Sequence, residues 1–228
     1  MGNRCAGSTH RSMRATRTAS SRAKPHHTMW PQALSAAIRA HLELSTASLG
    51  IAVAIGLPLG IVAASGERMR MPVLGLTGAL RALPSLAILT LALPVVGLGA
   101  PAAVAALAIL AIPPIIAHTD AGLRSVPPAL LDAASGIGMT ARQALVFVRW
   151  PLALPVLFAG IRTAAVEVVA SATLATFVGA GGLGNLIVQG LQTGDDRLLV
   201  IGCAAAASLT LAVEGTFALL QRAIEGRT

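Results

Sequence analysis

Five apolar runs, each about as long as a bilayer is thick, leave this chain almost one choice of fold. They lie near 44–64, 73–98, 102–117, 151–178 and 198–220. A helix needs roughly 20 apolar residues to cross the hydrocarbon. Inside that layer every backbone donor and acceptor must be bonded within the segment, so runs of this length are helices. The expected class is an all-α membrane protein with about five transmembrane helices and no room for a second folded unit. Only 11% of the residues are charged and 55% are hydrophobic, against roughly 25% charged in a soluble domain.

Arginine placement gives an orientation. Arg68 and Arg70 follow the first run, Arg124, Arg142 and Arg149 the third, and Arg222 and Arg227 the fifth. In a five-span chain these three places share a side, and excess Lys and Arg marks the cytoplasmic one. The opposite loops, 97–101 and 179–197, are then external, and so is the N-terminus. The net charge of +8 therefore marks no nucleic-acid partner. Six of the seventeen basic residues precede Met29, namely Arg4, Arg11, Arg14, Arg17, Arg22 and Lys24. That segment, 1–28, reads as a basic disordered tail without a signal-peptide apolar core. A basic tail conflicts with an external N-terminus, so translation is expected to start at Met13 or Met29. Residues 29–43 carry Leu34, Ala37, Ile38 and Leu42 at helical spacing and read as an interfacial helix. Residues 44–222 form the membrane domain and 223–228 a short tail. Cys5 and Cys203 lie too far apart in the pattern to form a disulfide or a metal site.

Residues 119–150 interrupt the apolar pattern. Pro127 and Pro128 suit the first turn of a helix, where their missing donors would be unpaired anyway. Ala129–Ala134 continue that helix, and Gly136 and Gly138 stop it. Thr140 with Gln143 has the spacing of a capping box, which restarts a helix. Pro151 opens the fourth span. The expected product is two short helices joined by a glycine bend on the cytoplasmic face. Leu130, Leu131 and Ala134 give the first an apolar side, with Asp132 and Ser135 off it. A helix covering the base of the bundle and a helix docking into another subunit are both compatible with this pattern.

Asp132-Ala133-Ala134, Gly138 and Val148-Arg149-Trp150-Pro151 resemble the Glu-Ala-Ala loop of binding-protein-dependent ABC importer permeases. Asp132 stands where that loop has Glu, Val148 where it has Ile and Trp150 where it has Leu. Further blocks are similar to osmoprotectant permeases serving glycine betaine, choline and carnitine importers. These are Gly56-Leu57-Pro58-Leu59-Gly60, Leu83-Pro84-Ser85-Leu86-Ala87, Pro151-Leu152-Ala153-Leu154-Pro155, Gly160-Ile161-Arg162-Thr163-Ala164 and Gly179-Ala180-Gly181-Gly182-Leu183-Gly184. The resemblance implies a type I ABC importer transmembrane domain (MetI-like) in a bacterial cytoplasmic membrane. It implies a separate cytoplasmic ATPase subunit, an external substrate-binding protein and a second permease copy or paralogue. Leu131, Asp132, Ala133, Ala134, Gly138 and Met139 would then couple to the ATPase. Pro84, Ser85, Glu167, Ser171 and Thr173 are pathway candidates, and Gly179, Gly181, Gly182 and Gly184 an outer loop or gate. Methionine and other amino-acid permeases share some of these blocks, so the substrate class stays open between them.

Other signals carry less. Gly179 to Gly184 also fits G-x-G-x-x-G, but it follows a membrane run rather than a strand, so no dinucleotide cofactor is expected. No G-x-x-x-x-G-K-[ST] occurs, so ATP hydrolysis belongs to another chain, and the subunit is expected to be non-catalytic. A stand-alone secondary transporter would show internal repeats, and none is detectable. A membrane enzyme would need clustered His, Asp or Glu, which the pattern lacks. Charges within spans tend to meet a partner or a cavity. Arg81, Arg162, Glu167 and Glu214 are such charges, read either as interhelical ion pairs or, for Glu167, as pathway lining. Arg162 and Glu167, five apart, lie about 140° apart around a helix and make a poor pair with each other. His118 and Asp120 read as hinge or cap residues, and no metal is expected. Glycine and proline inside the spans read as close helix packing or as hinges.

Overall fold

The structure is a computed structural model that describes residues 30–225. The basic segment up to Met29, with Cys5 and both candidate start residues, and residues 226–228, with Arg227, lie outside the described residues. All regular structure in the described residues is helical: α1 (Trp30–Ala64), α2 (Glu67–Ala82), α3 (Ser85–Val96), α4 (Ala100–Arg124), α5 (Pro128–Gly136), the single turn α6 (Ala141–Ala144), α7 (Trp150–Ser171), α8 (Gly184–Thr193) and α9 (Asp196–Glu225). A π-helical turn at Leu145–Arg149 joins α6 to α7, and a 3-10 stretch at Ala172–Val178 continues α7.

Four helical stretches are long and apolar enough to cross a membrane: Gln32–Ala64, Ala100–Arg124, Ala141–Val178 and Asp196–Ile224. The second expected span is not one straight helix. It is the pair α2 and α3, bent by 101° at Leu83-Pro84. The apolar run is continuous across the break, but Pro84 has no N–H to donate. It also pushes Leu83 out of the helical region, to φ −79 and ψ 133. Counted as one crossing, the bent pair brings the total to the expected five. Other boundaries differ: α4 runs on to Arg124, past the expected end near 117, and the fourth helical stretch begins at Ala141, so the second short helix of the insert is continuous with the span that Pro151 was expected to open. Residues 30–43 are continuous with the first span as one 35-residue helix, and the expected loop after Gly66 is already the first turn of α2.

Helix α4 is the hub. Its Ala103, Ala106, Leu107, Ala111, Ile115 and Ile116 are almost wholly buried, and α1, α2, α3 and α7 all pack on it. Small residues set the approach distances. Ser48, Ala52, Gly56 and Gly60 recur every fourth residue down the buried face of α1. A Cβ on Gly56 would lie 2.9 Å from Ile115, and one on Gly60 would collide with Thr119. Gly122 meets Leu157 of α7 in the same way, at 2.8 Å. At these crossings the glycines act as packing residues, which let backbones approach within the bilayer. Large apolar side chains such as Leu91, Val95, Leu211 and Leu219 point outward, as a lipid-facing surface requires.

The chain's turns sort into two ends. At one end Leu123 packs with Ala153 and Leu157, and partly buried Ile61 and Ala64 cover them. At the other, the Gly99 N–H donates to the Val178 carbonyl at 2.7 Å, so the α3–α4 turn and the end of the 3-10 stretch lie together. This is the sorting of loops that the arginine bias gives.

Candidate functional site

The insert folds as its turn residues dictate. Pro128 opens α5, and Thr140 with Gln143 closes a complete capping box at the start of α6. α5 ends at Gly136, and Gly138, just past its cap, takes φ 81. The Gly138 N–H donates to Ser135 O at 2.9 Å and the Met139 N–H to Ala134 O at 3.0 Å. This is the Schellman arrangement, whose left-handed position favours glycine. The apolar surface of α5 divides between two faces. Leu131 and Met139 turn inward and, with Ile61, Leu123 and Leu145, line a cavity of about 540 Å³ under the insert; Ala134 is buried. Leu130, expected on that side, instead points out. Leu130, Ala133 and Ile137 form an outer stripe at helical spacing, with Ile137 76% exposed and Asp132 exposed beside them. Space is open around Gly138.

At the end of α4, four charges close a ring. Asp120 accepts from the Arg70 Nε at 3.1 Å and from the Arg124 Nε at 3.0 Å. Glu67 lies 3.2 Å from Arg70 and 3.4 Å from Arg124. The Asp120 carboxylate is only 4% exposed. The ring ties the start of α2 to the end of α4, so Asp120 is an ion-pair centre rather than the expected hinge or cap. His118 donates from Nδ1 to the Pro114 carbonyl at 2.8 Å. Among the described residues no three His, Cys, Asp or Glu side chains gather as a metal site.

Between α7 and α9 runs an open groove of about 570 Å³. Arg162 donates from Nε to both carboxylate oxygens of Glu214, at 3.0 and 3.1 Å, and from Nη1 to Gln221 at 3.0 Å. The interhelical pairing expected for in-span charges thus holds for Arg162 and Glu214. Phe158 and Phe217 pack beside it, ring centroids 5.7 Å apart. Glu167 lines the same groove, half-buried. Its charge interacts with Arg81, at the end of α2 beside the bend. The other pathway candidates are not among the groove's lining residues. Ser171 lies one helical turn beyond Glu167. Thr173 donates to the Ala170 carbonyl at 2.8 Å, and Pro84 and Ser85 form the elbow between α2 and α3.

At the far end, Gly179, Gly181 and Gly182 take φ of 78, 86 and 87. A Cβ on Gly184 would collide with the Thr173 carbonyl, so the loop lies directly on the 3-10 stretch. Thr176 donates to Asn185, tying the loop to that stretch. The loop then enters α8, a helix inside what reads as an external loop. His41 is the residue that the sequence pattern did not single out. It is fully buried, with Nε2 2.9 Å from the Val169 carbonyl and Nδ1 3.4 Å from the Leu183 amide.

The family profile described as "Binding-protein-dependent transport system inner membrane component" matches residues 56–228. The osmoprotectant import permease protein OsmW of Salmonella typhimurium is 38% identical over 186 residues, covering 79% of this chain and 86% of the relative. The carnitine transport permease protein OpuCB of Listeria monocytogenes is 39% identical over 174 residues, 76% of this chain and 80% of the relative. The choline transport system permease protein OpuBB of Bacillus subtilis is 34% identical over 182 residues, 80% and 84%. Among solved structures, the MetNI methionine ABC transporter in an inward-facing form matches with a TM-score of 0.78 at 22% identity, over 88% of this chain and 99% of that one.

Proposed function

We propose that this chain, which belongs to the family of binding-protein-dependent transport system inner membrane components, is the inner-membrane permease subunit of an ATP-driven importer for small quaternary-ammonium osmoprotectants of the glycine betaine, choline and carnitine kind. The observation that carries the substrate class is the identity of 34–39% over three quarters or more of the chain to permeases named for osmoprotectant, carnitine and choline transport. The likeness to the methionine transporter is a likeness of fold alone.

The parts divide the work. A cytoplasmic ATPase subunit receives α5, with the outer stripe of Leu130, Ala133 and Ile137 entering its groove and Asp132 pairing at the rim. Leu131, Ala134 and Met139 face the bundle across the cavity, and α5 packs on α6 and the π-helical turn, so a push on the helix reaches α7 through them. Gly138 lets the chain turn back without a side chain in the contact. Closure of two ATPases brings two such helices together and opens a pair of permeases outward. A binding protein delivers substrate to the external face, where Gly179–Gly184 form the gate. The α7–α9 groove with Glu167, and the elbow at Pro84 and Ser85, belong to the pathway; Ser171 and Thr173 continue it along α7. A carboxylate there attracts a cationic ammonium, and a charge within a span tends to face a partner or a cavity.

Growth tests the reading. Cells lacking their osmolyte importers should regain growth at high osmolality on glycine betaine, choline or carnitine when this chain is expressed with its ATPase and binding protein. Rescue by methionine uptake instead, in a methionine-requiring host, would replace the substrate class.

A further inference from the structure

We propose that His41 is the latch of the outer gate: a positioning residue that holds the glycine loop closed against the bundle, resting on the reading of Gly179–Gly184 as that gate. Three elements meet on its imidazole. The ring hangs from α1, whose small-residue stripe locks it to α4. The Nε2 atom lies 2.9 Å from the Val169 carbonyl of α7. A carbonyl only accepts, so Nε2 carries the hydrogen. The Nδ1 of the neutral ring is then bare and accepts the Leu183 N–H at 3.4 Å. The partner on α7 therefore fixes the tautomer that can hold the loop.

The loop is shaped to be held there. Gly182 lies beside the ring's Nδ1 edge, where a Cβ would sit 3.2 Å from Nδ1, and its φ of 87 is one that side chains rarely take. Leu183 beside it is wholly buried, as is His41. Val169 lies two residues before Ser171 and three before the 3-10 stretch that leads into the loop. A 3-10 run of seven residues is longer than usual, and such runs often mark hinges. If the loop lifts, the Leu183 N–H passes to water while His41 stays bonded to Val169. The loop's bond to His41 on α1 is a long one, at 3.4 Å, and α1 stays in place when it breaks.

Side-chain geometry separates the two bonds. An Asn amide at position 41 places its oxygen near the Nδ1 position, and a Gln amide places its nitrogen near Nε2. His41→Asn thus keeps the acceptor for Leu183 and loses the donor to Val169, and His41→Gln does the reverse. His41→Phe keeps the ring and loses both. The test uses the complete complex with its ATPase in vesicles, and measures ATP hydrolysis without binding protein. A second readout is thiol labelling of Leu183→Cys in a Cys5→Ser, Cys203→Ser background. The latch requires the Gln and Phe variants to raise both readouts by about three- to tenfold, the effect of one net hydrogen bond on a two-state equilibrium. The Asn variant should stay near the parent. Gln and Phe variants equal to the parent in both readouts would overturn the latch. So would loss of folded complex in all three with hydrolysis per complex unchanged, which is the behaviour of a packing residue. If labelling of Leu183→Cys in the parent does not change between nucleotide-free and ATP-trapped complexes, the gate reading itself fails and takes the latch with it.

Discussion

Placing a side chain on Gly138 separates what the insert does for its own fold from what it does for a partner. Gly138 takes φ 81, and a Cβ there meets nothing within 4 Å. The cost inside the subunit is therefore backbone strain alone. A left-handed conformation costs an L-residue roughly 1–2 kcal/mol, and Asn and Asp sit at the low end because they visit that region routinely. About 1 kcal/mol is small beside the roughly 5–15 kcal/mol that holds a typical domain together. Gly138→Asp and Gly138→Asn should both insert, fold and bind substrate-loaded binding protein. In an ATPase groove that follows the bare backbone of Gly138, the added side chain has no room. Both variants should then lose most of the ATP hydrolysis that loaded binding protein stimulates in reconstituted vesicles. The Asn variant controls for charge: loss with Asp alone would mean repulsion, loss with both would mean steric exclusion. Stimulation equal to the parent in both variants, with α5 intact, would refute the docking of this helix end.

Other perturbations address the rest of the molecule. Asp120→Asn weakens two charge-assisted hydrogen bonds to arginines that are about a third exposed; with solvent screening it should cost about 2 kcal/mol, read as a lowered melting temperature in detergent, and an unchanged melting curve would remove the ring's structural role. Thr119 Oγ1 is the buried side-chain atom without a partner among the described residues, so Thr119→Val, nearly the same shape, should leave stability unchanged or raise it by up to about 1 kcal/mol; a clear loss would reveal a hidden partner. An impermeant thiol reagent applied to intact cells should label Thr193→Cys and not Met69→Cys, and the opposite pattern would invert the topology. Glu167→Gln should slow choline uptake more than uptake of zwitterionic betaine if the carboxylate faces the pathway. Since Arg162 is held by Glu214, the alternative of a structural pair is read from Arg81: recovery of lost expression by also neutralising Arg81 would place Glu167 in that pair.

Local chemistry was legible in the sequence, and long-range geometry was not. The start of α5 at Pro128, its stop just before Gly138 and the capping box at Thr140 and Gln143 each depend on residues within four positions, and each appears where the pattern puts it. Span number and the sorting of loops follow from hydropathy and arginine placement. The 101° bend at Leu83-Pro84 did not, because hydropathy is blind to direction and prolines at positions 58, 94 and 155 sit inside helices. Helix α8 left a readable signal. Leu183, Leu186, Ile187 and Gly190 are at i, i+3, i+4 and i+7 and turn inward, while Asn185, Gln189 and Gln192 are exposed. The Asp120 ring joins residues fifty positions apart and His41 reaches Leu183 across 142; no spacing rule connects such pairs, and a lone histidine in a helical run reads as ordinary.

In the proposed importer, osmolytes cross through this chain only when a separate ATPase drives α5. Vesicles containing the permease, its ATPase and external binding protein should accumulate labelled glycine betaine or choline when ATP is supplied on the ATPase side. Accumulation should stop when either partner is left out. Uptake by the permease alone, driven by an ion gradient and indifferent to ATP, would contradict it.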